Sequence, residues 1–299
     1  MQRRGRYYLG RVVKLGRLDL EKLIAALKTP RSIQIGDYSW TITDTQFVPS
    51  SKSPKYIFGH LTKFQPQGIV RVIDESQHSQ GEAIATNLIV ATSSFIYLPA
   101  FSGIAYLQVW NQIERDTFAT RFSEIIKAAY DNFFVECLIE PISDLRSFSA
   151  KLKTIDTFLE VSATVHPPNP LFGRAWKNLR EYLIRRNIAE LTLKEKGQEG
   201  KALKTDLAMH VVRILKQDDK NPYIPEVPLD LPDAAILMAA DGYGQGQVVG
   251  TDNGSLVTVR TSETHKSFLY STSPEPEALY NEALKHFEAI SHERNMEHG

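Results

Sequence analysis

Three carboxylates and a lysine, Asp156, Glu160, Glu190 and Lys194, are the first residues whose types and spacing suggest a reaction. They flank two strand-like runs. Clustered carboxylates holding a divalent ion, with a lysine nearby, are what a metal-dependent nuclease needs. The reading requires adjacent parallel strands to bring Glu160 beside Glu190. Otherwise the four are ordinary solvated charge on strand edges. Gly242-x-Gly244-x-Gly246 invites a phosphate-loop reading, but such glycines must open a helix, and here they lead into Gln247-Val-Val, a strand. They are therefore expected to form a flexible hairpin loop. Gly197-Gln-Glu-Gly-Lys201 has the wrong spacing for a phosphate-binding lysine loop. The eight histidines make no His-x₃-His pair, so no local metal site is assigned. Cys137, the only cysteine, excludes an internal disulfide and sits in an apolar run as a small buried hydrophobe. No catalytic residue and no cofactor is assigned.

Positive charge gives a second chemistry. In Leu171 to Arg186, Phe172, Trp176, Leu179 and Leu183 fall at spacings of four, three and four and share one helical face. Arg174, Lys177, Arg180, Arg185 and Arg186 lie away from it, and Lys194, Lys196, Lys201 and Lys204 continue the patch. Residues 174–204 hold nine basic and four acidic residues. Phosphate contacts need only charge and reach, so Arg174, Lys177, Arg180, Arg185, Arg186 and Lys194 form a candidate surface for sequence-independent binding of nucleic acid, duplex DNA in particular. The alternative is an exposed amphipathic helix with solvated arginines.

The elements that must position these groups follow from periodicity. Phe158 to Val165 reads as a strand, the prolines at 167, 168 and 170 as a stiff turn, residues 171–187 as the basic helix, and Ile188 to Leu193 as a second strand. This is a β-α-β unit. Upstream, Tyr7 to Leu15 is a strand and Asp19 caps a helix ended by Pro30. Ser32 to Val48 gives two strands about Gly36-Asp37, and Tyr56 to Phe64 another. Gly68 to Gly81 reads as an exposed loop, Ala83 to Trp110 as buried strands, and Asn111 to Asp131 as a long helix. Phe133 to Ile142 is a strand, Ser143 to Lys153 a helix, and Lys201 to Lys216 a helix. Asp218 to Pro232 is a proline-rich loop or strap. Ala234 to Ser273 reads as three strands with a hairpin at Asp252-Asn-Gly254, and residues 274–295 as a closing helix. The fold class is α+β in two layered domains. Residues 1–132 form the first; residues 133–299 form a ferredoxin-like or split β-α-β sheet extended by a β-hairpin and a carboxy-terminal helix.

Bulk properties fit a soluble, cytoplasmic protein. The 299 residues have zero formal net charge, but residues 1–31 carry nine basic and two acidic groups, and residues 226–299 carry four and twelve. A basic front and an acidic back favour head-to-tail self-contact, which is a reading as a protein-interaction module. The amino terminus lacks an apolar signal core, and the most apolar region is interrupted by Thr86, Asn87, Ser93, Ser94 and Pro99, so the chain is not expected to insert into a membrane.

Three segments together carry a family resemblance: Val-His-Pro-Pro-Asn-Pro170, the stretch Asp241-Gly-Tyr-Gly-Gln-Gly through Gly254, and Thr261-Ser-Glu-Thr-His-Lys. With them, the chain resembles the RexA-type phage-exclusion proteins and related bacterial proteins. The resemblance implies a cytoplasmic, dimeric, DNA-associated protein of antiphage defence that acts with a second defence protein. It brings no catalytic residues. Only the Asn169-Pro170 turn and the basic helix after it map onto the pattern.

Overall fold

Apolar residues on both faces of one amino-terminal strand determine how the molecule is assembled. In this computed structural model, which describes residues 3–51, 53–168, 170–217 and 222–298, Leu9, Arg11, Val12 and Val13 of β1 (Arg4–Gly16) are all buried. A strand covered on both sides must lie between two layers. After it come α1 (Leu20–Lys28), β2 (Ile33–Ile35), β3 (Tyr38–Val48), β4 (Tyr56–Asp74), β5 (Ser79–Leu98), β6 (Gly103–Leu107), α2 (Arg115–Ala128) and β7 (Val135–Pro141). The Asp19 carboxylate accepts the Lys22 amide at 2.8 Å and caps α1 as its position predicts. The remaining elements are α3 (Leu145–Leu152), β8 (Thr157–Val165), β9 (Leu171–Gly173), α4 (Lys177–Arg185), β10 (Leu191–Lys196), α5 (Leu207–Lys216), α6 (Leu231–Met238), β11 (Gly244–Asp252), β12 (Ser255–Arg260), β13 (Ser267–Ser271), α7 (Pro276–Glu293) and β14 (Met296–His298).

The architecture is α+β. A large antiparallel sheet runs β13-β1-β6-β5-β4-β3-β2, and a four-stranded antiparallel sheet runs β10-β8-β11-β12. One edge of β1 pairs with β6; the other pairs with β13 through residues 4–8 and with β7 through residues 10–16. Helices α1 and α2 cover one face of the large sheet through Leu23, Phe118, Phe122 and Ile126, and α7 covers the other through Leu279, Ala283 and Phe287. The expected division at 132/133 is therefore crossed by the sheet itself, because β7, β13 and α7 all come from beyond it. Gly103 marks how closely α7 approaches: a Cβ there would lie 2.5 Å from the Phe287 ring. We expect Gly103→Ala to destabilise the fold by about 1–3 kcal/mol, the range for an overpacked core, measured by urea unfolding.

Three expectations are corrected. Residues 68–81 are not an exposed loop, because β4 continues through Pro66 and Gly68 and pairs with β5 as far as Asp74 and Ser79. Pro66 is tolerated since no third strand lies beside it. The segment beginning at Ala234 is the helix α6, buried on every side from Pro232 to Met238; an apolar run of that length has no face pattern to separate helix from strand. The third correction concerns the β-α-β unit. Strands β8 and β10 are antiparallel, with Val165 opposite Leu191 and Glu160 opposite Lys196. A nine-residue α4, about 14 Å long, cannot return the chain along a nine-residue strand of about 30 Å, so the chain re-enters at the end where it left. The hairpin β11–β12 extends this sheet as expected, turning at Asn253-Gly254. The Asn169 part of the Asn-Pro turn, and residues 218–221 of the proline-rich strap, lie outside the described residues. Among the described residues, no helix is long and apolar enough to cross a membrane.

Candidate functional site

The basic segment folds in two pieces rather than as one helix over 171–187. Leu171–Gly173 pairs with β14, Arg174–Trp176 makes a single 3-10 turn, and only then does α4 begin. Trp176, Leu179 and Leu183 are buried against the core that contains α6, as their spacing predicts. The opposite side is less uniformly basic than expected. Lys177, Arg180, Ile184, Glu181 and Arg185 share an arc of about 140°, with Glu181 inside it. Lys177 reaches Glu181 at 3.9 Å, and Arg174 pairs with Glu297. Arg180 lies over the Phe172 ring at 4.2 Å and Arg186 over Tyr182 at 5.7 Å. Stacking leaves the guanidinium edges able to bond phosphate. Among the described residues, Arg180, Arg185 and Arg186 form no ion pair. Lys194 does not join them: it alternates with Leu193, whose side chain packs on the core, so it projects from the outer face of the sheet and pairs with Glu160 at 2.8 Å.

The expected carboxylate cluster does not form. Glu190 precedes the Leu191–Val165 pair while Glu160 lies opposite Lys196, so about 20 Å along the strand separates them. Glu190 instead faces His166 at 4.0 Å, and Asp156 accepts the Asn253 amide at 2.8 Å. No group of three His, Cys, Asp or Glu side chains among the described residues is arranged to hold a metal ion. The glycine cluster is not a flexible hairpin loop: Gly242 lies in the buried turn after α6, and Gly244 and Gly246 are buried in the first residues of β11. Gly242 sits at φ +87° against Arg11, and Gly244 lies so near the Thr164 carbonyl that a Cβ would be 2.1 Å from it. Cys137 is fully buried, and burial pushes its thiol up to about 12, which makes it an inert core group.

A site that the sequence patterns missed lies where the two sheets meet. Between α2, the free edge of β7 and the start of β11 is a cavity of about 480 Å³. In β7, Cys137 and Ile139 enter the core beneath α2, whereas Leu138 and Glu140 turn toward the second sheet. Glu140 is 5% exposed, is hydrogen-bonded by Gln245, and has no partner for Oε2. Burial pushes its carboxyl up to about 7, with Gln245 pulling slightly the other way. His265, held edge-on to Tyr8 at 5.8 Å, also lines the cavity, and its ring nitrogens are buried without a hydrogen bond of good geometry. Burial, then repulsion from Arg115, lowers His265 to about 4; Asp116 and the Ser262 backbone oppose this weakly. Charges around the cavity are already matched, Arg115 with Asp116 at 2.7 Å, Arg121 with Glu124 at 2.6 Å and Lys127 with Glu136 at 3.0 Å. What remains is a neutral histidine and a carboxyl that exchanges its proton near neutrality, which suits ligand binding or proton transfer. The one signal in sequence was an acid out of place in an apolar run, Val135-Glu-Cys-Leu-Ile-Glu140.

No curated protein matches the chain. A family model does, over residues 18–219, a span that includes α2, β7 and α4 but ends before α6, β11–β13 and α7. That match covers more than half of the chain, which therefore belongs to the family described as Domain of unknown function (DUF4747).

Proposed function

We propose that this chain is a non-enzymatic, cytoplasmic nucleic-acid-binding protein of antiphage defence, which acts as a homodimer and holds duplex DNA by its phosphates. The observation that carries the reading is the group of three guanidinium groups on and just after α4, Arg180, Arg185 and Arg186, that no carboxylate neutralises among the described residues. Arginine is the side chain best matched to phosphate, and contacts of this kind do not depend on base sequence. The resemblance to phage-exclusion proteins supports the defence role, the dimer and a second defence protein as partner. Reversing all three charges (Arg180→Glu, Arg185→Glu, Arg186→Glu) is expected to weaken binding at low salt roughly tenfold or more for duplexes of unrelated sequence. Equal affinity for wild type and variant would remove α4 from the account.

Self-association has its own structural support. Beyond Phe64 and Ile89, β4 and β5 pair only with each other, forming a projecting ribbon about 33 Å long. Ile69, Ile73 and Ile84 on one of its faces are 67%, 76% and 78% exposed. A two-stranded ribbon is marginal alone in water, and a second copy covering this face would stabilise it. Changing these three isoleucines to serine should turn a dimer into a monomer by light scattering. A wild-type monomer at high concentration would contradict the homodimer.

A further inference from the structure

We propose that the outer face of the β4–β5 ribbon docks on the same face of a second copy with the two-fold axis running along the ribbon, so that Arg71 of each copy meets Glu82 of the other. The proposal rests on the homodimer proposed above and adds how its two copies are oriented. Its basis is the register of the ribbon. Ile69 lies opposite Ile84, Arg71 opposite Glu82 and Ile73 opposite Gln80, and residues directly opposite in an antiparallel pair point to one face. All six side chains are exposed, whereas Val70, Ala83 and Ala85 on the other face are half-buried. Asn87 sits at φ +54°, and Gly68 is buried so closely that an added Cβ would lie 2.8 Å from the Leu88 side chain. The ribbon therefore bends toward its Gly68 side at the base, which leaves the isoleucine face outermost, where a second copy can reach it.

The charged row selects the orientation. Arg71 and Glu82 face each other across the ribbon, yet among the described residues neither forms an ion pair, so both charges are available to a partner. With a two-fold axis across the strands, each strand lies over its own copy. Centring that axis on the charged row sets Arg71 against Arg71 and Glu82 against Glu82. Centring it on the Ile69–Ile84 row leaves both charges facing the neutral Gln67 and Thr86. With the axis along the ribbon, each β4 lies over the β5 of the second copy. Ile69 then meets Ile84, Arg71 meets Glu82 and Ile73 meets Gln80, and symmetry makes each contact twice. Of the three arrangements, this one alone sets apolar groups together and opposite charges together.

The test combines cysteine cross-linking with light scattering on the full chain. Ile69→Cys and Ile84→Cys chains, mixed and oxidised, should form a disulfide-linked dimer, and neither should link efficiently to itself. Cys137 is fully buried and stays out of the reaction. Arg71→Glu should weaken the dimer roughly tenfold at low salt, because two exposed ion pairs become two like-charge contacts. Glu82→Arg should do the same. The two single variants mixed should associate at near wild-type strength, since their charges match only across copies. A monomeric wild type would contradict the homodimer and this arrangement with it. A wild-type dimer in which Ile69→Cys links to itself, or in which neither charge reversal weakens association, would overturn the arrangement and leave the homodimer standing.

Discussion

Replacing Asp241 with alanine is expected to destabilise the protein by about 3–5 kcal/mol, the range for removing one partner of a buried ion pair. Asp241 is 5% exposed and lies in the turn between α6 and β11. Its Oδ1 accepts Arg294 Nη1 at 2.6 Å, its Oδ2 accepts Trp176 Nε1 at 2.7 Å, and its carbonyl accepts Arg11 Nε at 3.3 Å. Arg294 also donates to the carbonyls of Ala240 and Ser143, and Arg11 to that of Phe101. The network thus joins β1 of the large sheet, the turn leading to the small sheet, the segment before α4, and the end of α7. Two buried guanidinium groups lie around Asp241, and Glu293, 3.8 Å from Arg294 Nε, is a second and more distant carboxylate. Without Asp241 the Arg294 guanidinium keeps only Glu293, 3.8 Å from its Nε, as a counter-ion, and the carbonyls must supply the rest of its solvation. Urea unfolding should show a lower midpoint with an unchanged slope. A loss under about 1 kcal/mol would mean that the carbonyl cage suffices without the carboxylate.

Glu140→Gln should change how stability depends on pH. The folded carboxyl, at about 7, lies above its ordinary value of 4.5. Below pH 4.5 both folded and unfolded states hold the proton, and the group contributes no penalty. Above pH 7 the folded state holds a buried carboxylate that the unfolded chain would hydrate, and the penalty is complete. At about 1.4 kcal/mol per pH unit, the variant should gain about 3 kcal/mol on the wild type between pH 4.5 and pH 8. His265 acts in the opposite sense. Its folded value of about 4 lies below the ordinary 6.5, held there by burial and by Arg115 against Asp116. Stability is lost as pH falls from 6.5 toward 4, because the unfolded chain takes up the proton first. Around pH 5–6 the two slopes offset each other in the wild type, so Glu140→Gln should expose the histidine slope and His265→Gln the carboxyl slope. Parallel pH profiles for wild type and Glu140→Gln would show that Glu140 is not a buried, titrating carboxyl.

What could be read from sequence was what local periodicity decides. The faces of α2 and α7, the Asp19 cap and the Asn253-Gly254 hairpin all lie within a few residues of their own evidence. Strand direction was not local. Whether β10 returns parallel or antiparallel to β8 depends on the length of α4, and Pro170 and Gly173 shortened the helix that periodicity alone extends to Leu171. Ala234 to Met238 reads as a strand because the run is apolar on every side, yet it folds as the helix α6. Pro66 and Gly68 suggested a loop, whereas an edge with no third strand accepts both. The six predicted phosphate contacts separated for a similar reason. Which of them keep their charge free depends on Glu297, Glu181 and Glu160, brought close by the fold rather than by spacing. Glu140 was invisible because an acid at a strand position normally marks the solvated face, and here a second sheet covers that face.

The most direct test of the nucleic-acid reading is the salt dependence of duplex binding by the wild-type chain, followed by fluorescence anisotropy from low to physiological salt. Three arginine–phosphate contacts per copy predict a slope of log affinity against log salt of about −2.7, and about −5.4 for a dimer that engages both copies. The slope should flatten toward zero when Arg180, Arg185 and Arg186 are reversed. A duplex that does not bind at low salt, or binds with a slope near zero, would contradict the reading.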